Sequence, residues 1–231
     1  MDEIKKAAHV EKQAVDEGEL ELINRWSLRP LKAEEVFTFR LCACDDQVDR
    51  DNERFTLRTL EGLARLYPGK SLIMDHARSA KGQTARIYAA GVEKGGEVNR
   101  LVLRAYMLRN EASGPTIEAI EGGILREVSV GCAVERALCS ACGADKSRQR
   151  CAHIPGLQYD GKTCHVDLDG ARDAYEVSFT PVPAQPGAGV VKKYGGENAP
   201  GEEAPEADAA ALRLRLTGAA IKMHESEEHT A

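Results

Sequence analysis

The stretch "GGILREVSVGCAVERALCSACG", Gly122–Gly143, decides the fold class, because its periodicity changes twice within a few residues. Two glycines end whatever precedes it. Then Val128, Val130, Cys132 and Val134 alternate with Ser129, Gly131 and Ala133. A period of two puts alternate side chains on opposite faces, so this run reads as a half-buried strand with an apolar and a small, polar face. It ends in a Cys-x-x-Cys turn, which is metal or redox chemistry rather than core packing.

The flanking sequence repeats the theme of short strands broken by short helices. "EEVFTFRLCAC" alternates around Val36, Thr38 and Leu41, and "DDQVDRDNE" after it reads as an exposed turn. In "LRTLEGLARLYPGK", Leu57, Leu60, Leu63 and Leu66 recur at helical spacing until Pro68-Gly69. "SLIMDHA" is a short apolar strand that ends at His76. "ARIYAAGVE" and "EVNRLVLRAYML" form a hairpin across Lys94-Gly95-Gly96. "SGPTIEAIEGG" reads as a helix with Pro115 in its first turn, and "DAYEVSFTPVPA" as a strand closed by prolines. Together these elements predict a β-rich α+β domain.

Composition narrows the function classes. The 231 residues suffice for one domain with tails. A net charge of -6 lacks the basic face that nucleic acid or an anionic membrane surface would require. No apolar run reaches the about 18 residues that span a bilayer, and the charged N-terminus has no signal-peptide core. The expected location is therefore intracellular, where seven cysteines are thiols or metal ligands rather than disulfides. Residues 1–25 read as a frayed or helical arm, 26–194 as the domain, and 195–231 as a flexible acidic tail, with a possible short helix over 210–224.

The cysteine spacing is Cys139-x2-Cys142-x8-Cys151-x-His153, followed by Cys164-His165. Zinc takes four such ligands in a tetrahedron, and the polar "GADKSRQR" between them could not build a core of its own. Cys139, Cys142, Cys151, His153 and Cys164 are five candidates for four places in a structural site over 139–165. His165 would point away from Cys164 in an extended chain. Cys42 and Cys44 fall on one strand face with no nearby partners and read as ordinary thiols that hold no metal. Cys132 lies on the apolar face, where burial raises a thiol's pKa and makes it a poor nucleophile.

Ser129, His76 and Glu176, each taken alone, are a strand serine, a strand-end histidine and a strand-end carboxylate. In their order along the chain, "SLIMDH", "EVSVG" and "YEVSFTPVPAQPGAGV" together resemble the tailed-phage prohead (capsid maturation) serine protease family, related in fold to the herpesvirus assemblins. The likeness runs from about Arg25 to Tyr194, with the Cys-rich insert resembling a prophage-type subgroup. It implies an assemblin-like β-barrel with flanking helices. It implies Ser129 as nucleophile and His76 as general base. Glu176 is the preferred third member, with Asp75 and His153 as alternatives, and backbone N–H groups near Ala184-Gln185 as the oxyanion hole. It also implies cleavage of a scaffolding protein, or of the scaffolding segment of the major capsid protein, and self-cleavage, inside a procapsid in the host cytoplasm. A homo-oligomer and a contact with the portal follow from the same likeness; nucleic acid and membrane are not expected partners. The competing expectation is an inactive, zinc-stabilised scaffold or adaptor of the same fold.

Overall fold

The computed structural model describes residues 15–191. They belong to the first of two units, Met1–Gly196; the second, Glu197–Ala231, lies outside them. The first fourteen residues of the expected arm, the expected tail and the possible helix over 210–224 also fall outside the described residues.

Among the described residues three α-helices and ten strands follow in the order α1 (Glu17–Asn24), β1 (Val36–Asp45), β2 (Glu53–Phe55), α2 (Leu57–Leu66), β3 (Ser71–Met74), β4 (Ala85–Gly95), β5 (Val98–Leu108), α3 (Gly114–Glu121), β6 (Val128–Cys139), β7 (Gln158–Tyr159), β8 (Lys162–Thr163), β9 (Val166–Phe179) and β10 (Gly189–Val190). Eight strands make one mixed sheet, ordered β10-β1-β5-β4-β3-β9, and β7-β8 is a separate hairpin. The long β9 is shared. On one edge it pairs antiparallel with β6 from Val128↔Phe179 to Cys139↔Val166. Its other edge takes β3 and β2, both parallel, at opposite ends.

The protein is thus α+β and strand-rich. The expected β-barrel is not closed among the described residues. Among the described residues the two ends of the sheet meet at the isolated bridge Glu127↔Gly189, through which β10 touches the start of β6, and no continuous ladder closes the ring. The Pro-rich segment after β9 is the physical reason. Prolines lack the N–H that a ladder needs, and β10 is left only two residues to pair.

The curled sheet encloses one main core built from Leu41, Leu72, Ile87, Leu101, Leu103, Val128, Val177 and Phe179, capped by Leu60, Leu63 and Tyr67 from α2 and the turn after it. Burying each of the two α2 leucines contributes about 1.5–3 kcal/mol. Helix α2 begins where Thr56 accepts a hydrogen bond from the Thr59 N–H, and Thr59 donates from its hydroxyl to the Leu168 carbonyl of β9 at 2.7 Å. Helix α1 lies on the outer face, where Ile23 packs with Leu31, Val36, Tyr88 and Tyr106. The end of the expected arm is thus a helix that packs on this body. In β1, a bulge at Ala43 breaks the period of two. Ala43 and Cys44 both enter the main core while Cys42 does not join it, so the two cysteines do not share one face as expected.

Gly62 is where α2 comes closest to the sheet: a Cβ there would stand 2.6 Å from the Ala171 Cβ. Gly62→Ala gains about 1 kcal/mol of helix propensity. Overpacking costs about 1–3 kcal/mol, and neither rigid Cβ can swing aside. We expect a net loss of stability, read as a lower denaturant midpoint at unchanged slope; a higher midpoint would show that α2 is not held this close to β9.

Candidate active site and metal centre

Strand β9 brings the candidate residues together by register. Ser178 is opposite Ser129 on one side and Ile73 on the other; Glu176 is opposite Gly131 and Ser71. Directly paired residues share a face, so Ser129, Gly131, Glu176 and Ser178 point away from the core that Val128, Val130, Val177 and Phe179 enter. The alternation read in β6 is observed.

His76 does not end β3 as expected; the strand stops at Met74. Asp75 and His76 then both adopt left-handed conformations, with φ of 50° and 53°. Side chains with a Cβ disfavour this region by about 1–2 kcal/mol each. Hydrogen bonds hold the turn. The Asp75 N–H donates to the Phe179 carbonyl at 3.0 Å, His76 N–H to Ser178 Oγ at 2.8 Å, and Ala77 N–H to the Met74 carbonyl at 2.9 Å. The chain therefore folds back over the Ser129 face. His76 Nδ1 lies 3.0 Å from Glu176 Oε1.

Glu176 is 4% exposed, and its Oε2 has no hydrogen-bond partner among the described residues. Its carboxylate fits because its cross-strand neighbour is glycine: a Cβ built on Gly131 would collide with Oε1. In the neutral ring, Nδ1 donates to this carboxylate, which leaves Nε2 as the basic nitrogen. The His76 side chain is 43% exposed, so that nitrogen is reachable from solvent. Ser129 is half-buried and makes no hydrogen bond to His76 among the described residues. Hydrogen bonds of this kind commonly tighten only when substrate binds.

The other candidates lie elsewhere or are otherwise engaged. No hydrogen bond joins the Asp75 carboxylate to His76 among the described residues, and His153 sits in the cysteine cluster. Gln185 spends its side chain on Asp45, accepting from its N–H at 2.6 Å and donating to its carbonyl at 3.2 Å. With Arg50 donating to the Pro183 and Ala184 carbonyls, this pins "PVPAQPGAGV" beside the entry to β6. Burial, then the nearby Glu176 and Glu53 carboxylates, push the Cys132 thiol up to about 11, so it is no nucleophile at neutral pH. Ser178 and Gly131 were not singled out from the sequence. Both stand two positions from a candidate residue on its own strand, the signal that would have found them.

The cysteine insert leaves β6 at Cys139 and returns at β9. The Cys139 N–H donates to the Ala144 carbonyl and Gly143 N–H to the Cys139 carbonyl, so "CSACGA" turns tightly. The ligand atoms of Cys139, Cys142, Cys151 and His153 all lie within 4.8 Å of one another. His153 Nδ1 is buried without a partner among the described residues, and its ring meets Tyr159 edge-on with centroids 4.5 Å apart. A buried, unpartnered imidazole nitrogen beside three thiols is what a metal ligand looks like before the ion is added, and the donor set suits zinc. Cys164 Sγ is 3.7 Å from Cys139 Sγ, next to the group of four rather than in it. His165 Nε2 lies 3.2 Å from Asp167, and His165 is not among the four clustered ligands. Desolvation raises the Cys139 thiol, but hydrogen bonds from the Ala141 and Cys142 N–H groups and from the Cys142 and Cys164 thiols outweigh it and bring it down to about 6.

Cobalt(II) added to the metal-free protein at pH 7 should bind one equivalent and give a thiolate-to-cobalt charge-transfer band, weakened in Cys151→Ser. Metal binding requires the ligand thiols to give up their protons, so the band should weaken as pH is lowered. No band at pH 7, or an unaltered one in Cys151→Ser, would rule out this ligand set.

No family model matches the sequence, and no curated protein and no solved structure matches the chain.

Proposed function

We propose that the protein is a serine endopeptidase with Ser129 as nucleophile, His76 as general base and Glu176 as the carboxylate that orients the imidazole. One observation carries the reading: the 3.0 Å contact between His76 Nδ1 and a buried Glu176, formed on the strand face where Ser129 stands directly across from Ser178. A base held by a third group beside a hydroxyl is the arrangement that activates a serine.

In this reading Ser129 Oγ attacks the scissile carbonyl carbon while its proton passes to His76 Nε2. Glu176 stabilises the imidazolium without taking its proton. The imidazolium then protonates the leaving amine as the C–N bond breaks, leaving an acyl ester on Ser129. Water, deprotonated by His76, hydrolyses that ester and restores the hydroxyl. Burial, which raises the Cys132 thiol pKa to about 11, disfavours a cysteine nucleophile.

The substrate class rests on the likeness of "SLIMDH", "EVSVG" and "YEVSFTPVPAQPGAGV" to prohead proteases: a capsid scaffolding protein or segment, and the enzyme's own chain, cut within a procapsid. Zinc held by Cys139, Cys142, Cys151 and His153 would have four protein ligands and no open position, so its part is to order the insert. Among the described residues no helix is long and apolar enough to cross a membrane.

Intact mass over time, for wild type and Ser129→Ala with the cognate capsid or scaffolding protein, tests the reading. Trimming of the wild type or its partner, lost in Ser129→Ala, is expected. If both chains stay whole with the partner present, the inactive zinc-stabilised adaptor replaces the enzyme.

A further inference from the structure

We infer that Ser178 is a positioning residue for the general base: its hydroxyl holds the His76 backbone so that the imidazole meets Glu176. The inference rests on the reading of His76 as a base and extends it to a residue that touches neither substrate nor the reacting atoms.

Ser178 is fully buried, at 0% exposure. A buried hydroxyl is costly unless its hydrogen and lone pairs are used. Here the hydrogen goes to a carbonyl, Phe179 at 3.2 Å or Ile73 at 3.5 Å, and a lone pair accepts the His76 N–H at 2.8 Å. That N–H belongs to the second of two consecutive left-handed residues. Its conformation is unfavourable in isolation and persists only while neighbouring contacts fix it. Without the acceptor, the turn loses its one bond from β9 to the His76 backbone.

The geometry ties this bond to the site. Ser178 and Glu176 are two residues apart on one face of β9, so a single strand grips His76 twice, once by its backbone and once by Nδ1. Ser129 is opposite Ser178 in the same register. The strand that locates the nucleophile therefore also locates the base. A serine that merely satisfied the sheet would bond within it and would leave the imidazole indifferent to its removal.

The test is the tautomer of His76, read from its ring nitrogen-15 resonances, with His76→Gln for assignment. In wild type a single Nδ1–H tautomer with a slowly exchanging proton is expected. Ser178→Ala should lose it, with averaged nitrogen shifts and fast exchange, while the other histidine resonances stay in place. Ser178→Thr, which keeps the oxygen, should retain it. Gly131→Ala, whose Cβ would displace Oε1, should abolish it from the other side. Should Ser178→Ala fail to fold, Ser178→Cys keeps the shape and replaces the oxygen by a weak acceptor; it should show the same loss in part. An unchanged Nδ1–H signature in folded Ser178→Ala, or in Ser178→Cys, overturns the proposal. In a cleavage assay Ser178→Ala should lower kcat by about a hundredfold with little change in KM. A wild type without protease activity would sink the enzyme reading and leave the nitrogen-15 result intact. An active enzyme with an unaltered signature in Ser178→Ala would sink the positioning role alone.

Discussion

Strand Val166–Phe179 is hydrogen-bonded on both edges, to β6 along one and to β2 and β3 along the other, and the site depends on that double pairing. A strand's side chains alternate, so a slip of one residue would exchange its two faces. Val177 and Phe179 would leave the core and Glu176 and Ser178 would enter it. The apolar face fixes the register, and the register then fixes which residues meet on the other side. Two irregularities adjust the ladder, between Gly131 and Cys132 and between Ala133 and Val134. Both lie past Gly131, so Ser129 and Gly131 keep regular pairing with Ser178 and Glu176.

Gly131 shows how tightly this pairing is used. Any other residue there would occupy the space of the Glu176 carboxylate, and His76 would have nothing to orient it. The left-handed turn at Asp75-His76 is the matching cost on the β3 side. It is held by Phe179 and Ser178, so the strain rests on β9 as well. The cysteine cluster sits at the far end of the same ladder, where Cys139 faces Val166. Cys139 lies ten positions along the strand from Ser129, about 34 Å at about 3.4 Å each, so a metal there would reach the serine only through the strand pairing. A metal bound there would close a long insert at the open end of β6 and β9, where loop-closure entropy would otherwise fray the pair.

Much of this was legible in the sequence because it is local. The alternation in β6, the β4–β5 hairpin at Lys94-Gly95-Gly96, the leucine spacing of α2 and the Cys-x-x-Cys ligand pattern all depend on near neighbours. The choice among Glu176, Asp75 and His153 was not legible from spacing, because it depends on which strand lies beside β3. The bulge at Ala43, the left-handed His76 and the failure of the sheet to close as a barrel are set by pairing between distant segments. Ser178 was hidden for the same reason: its partner is a backbone N–H a hundred residues earlier in the chain. The Cys164 ambiguity was partly resolved, since the described cluster gathers Cys139, Cys142, Cys151 and His153 and leaves Cys164 beside it.

The claim that the His76–Glu176 pair serves Ser129 is tested most directly by covalent labelling with a fluorophosphonate, which reacts with a serine only when a base activates it. Peptide mass mapping should place the adduct on Ser129 in the wild type, with the modification lost in His76→Gln and strongly slowed in Glu176→Gln. An unlabelled Ser129 in the wild type, or labelling that is indifferent to His76, would contradict the account.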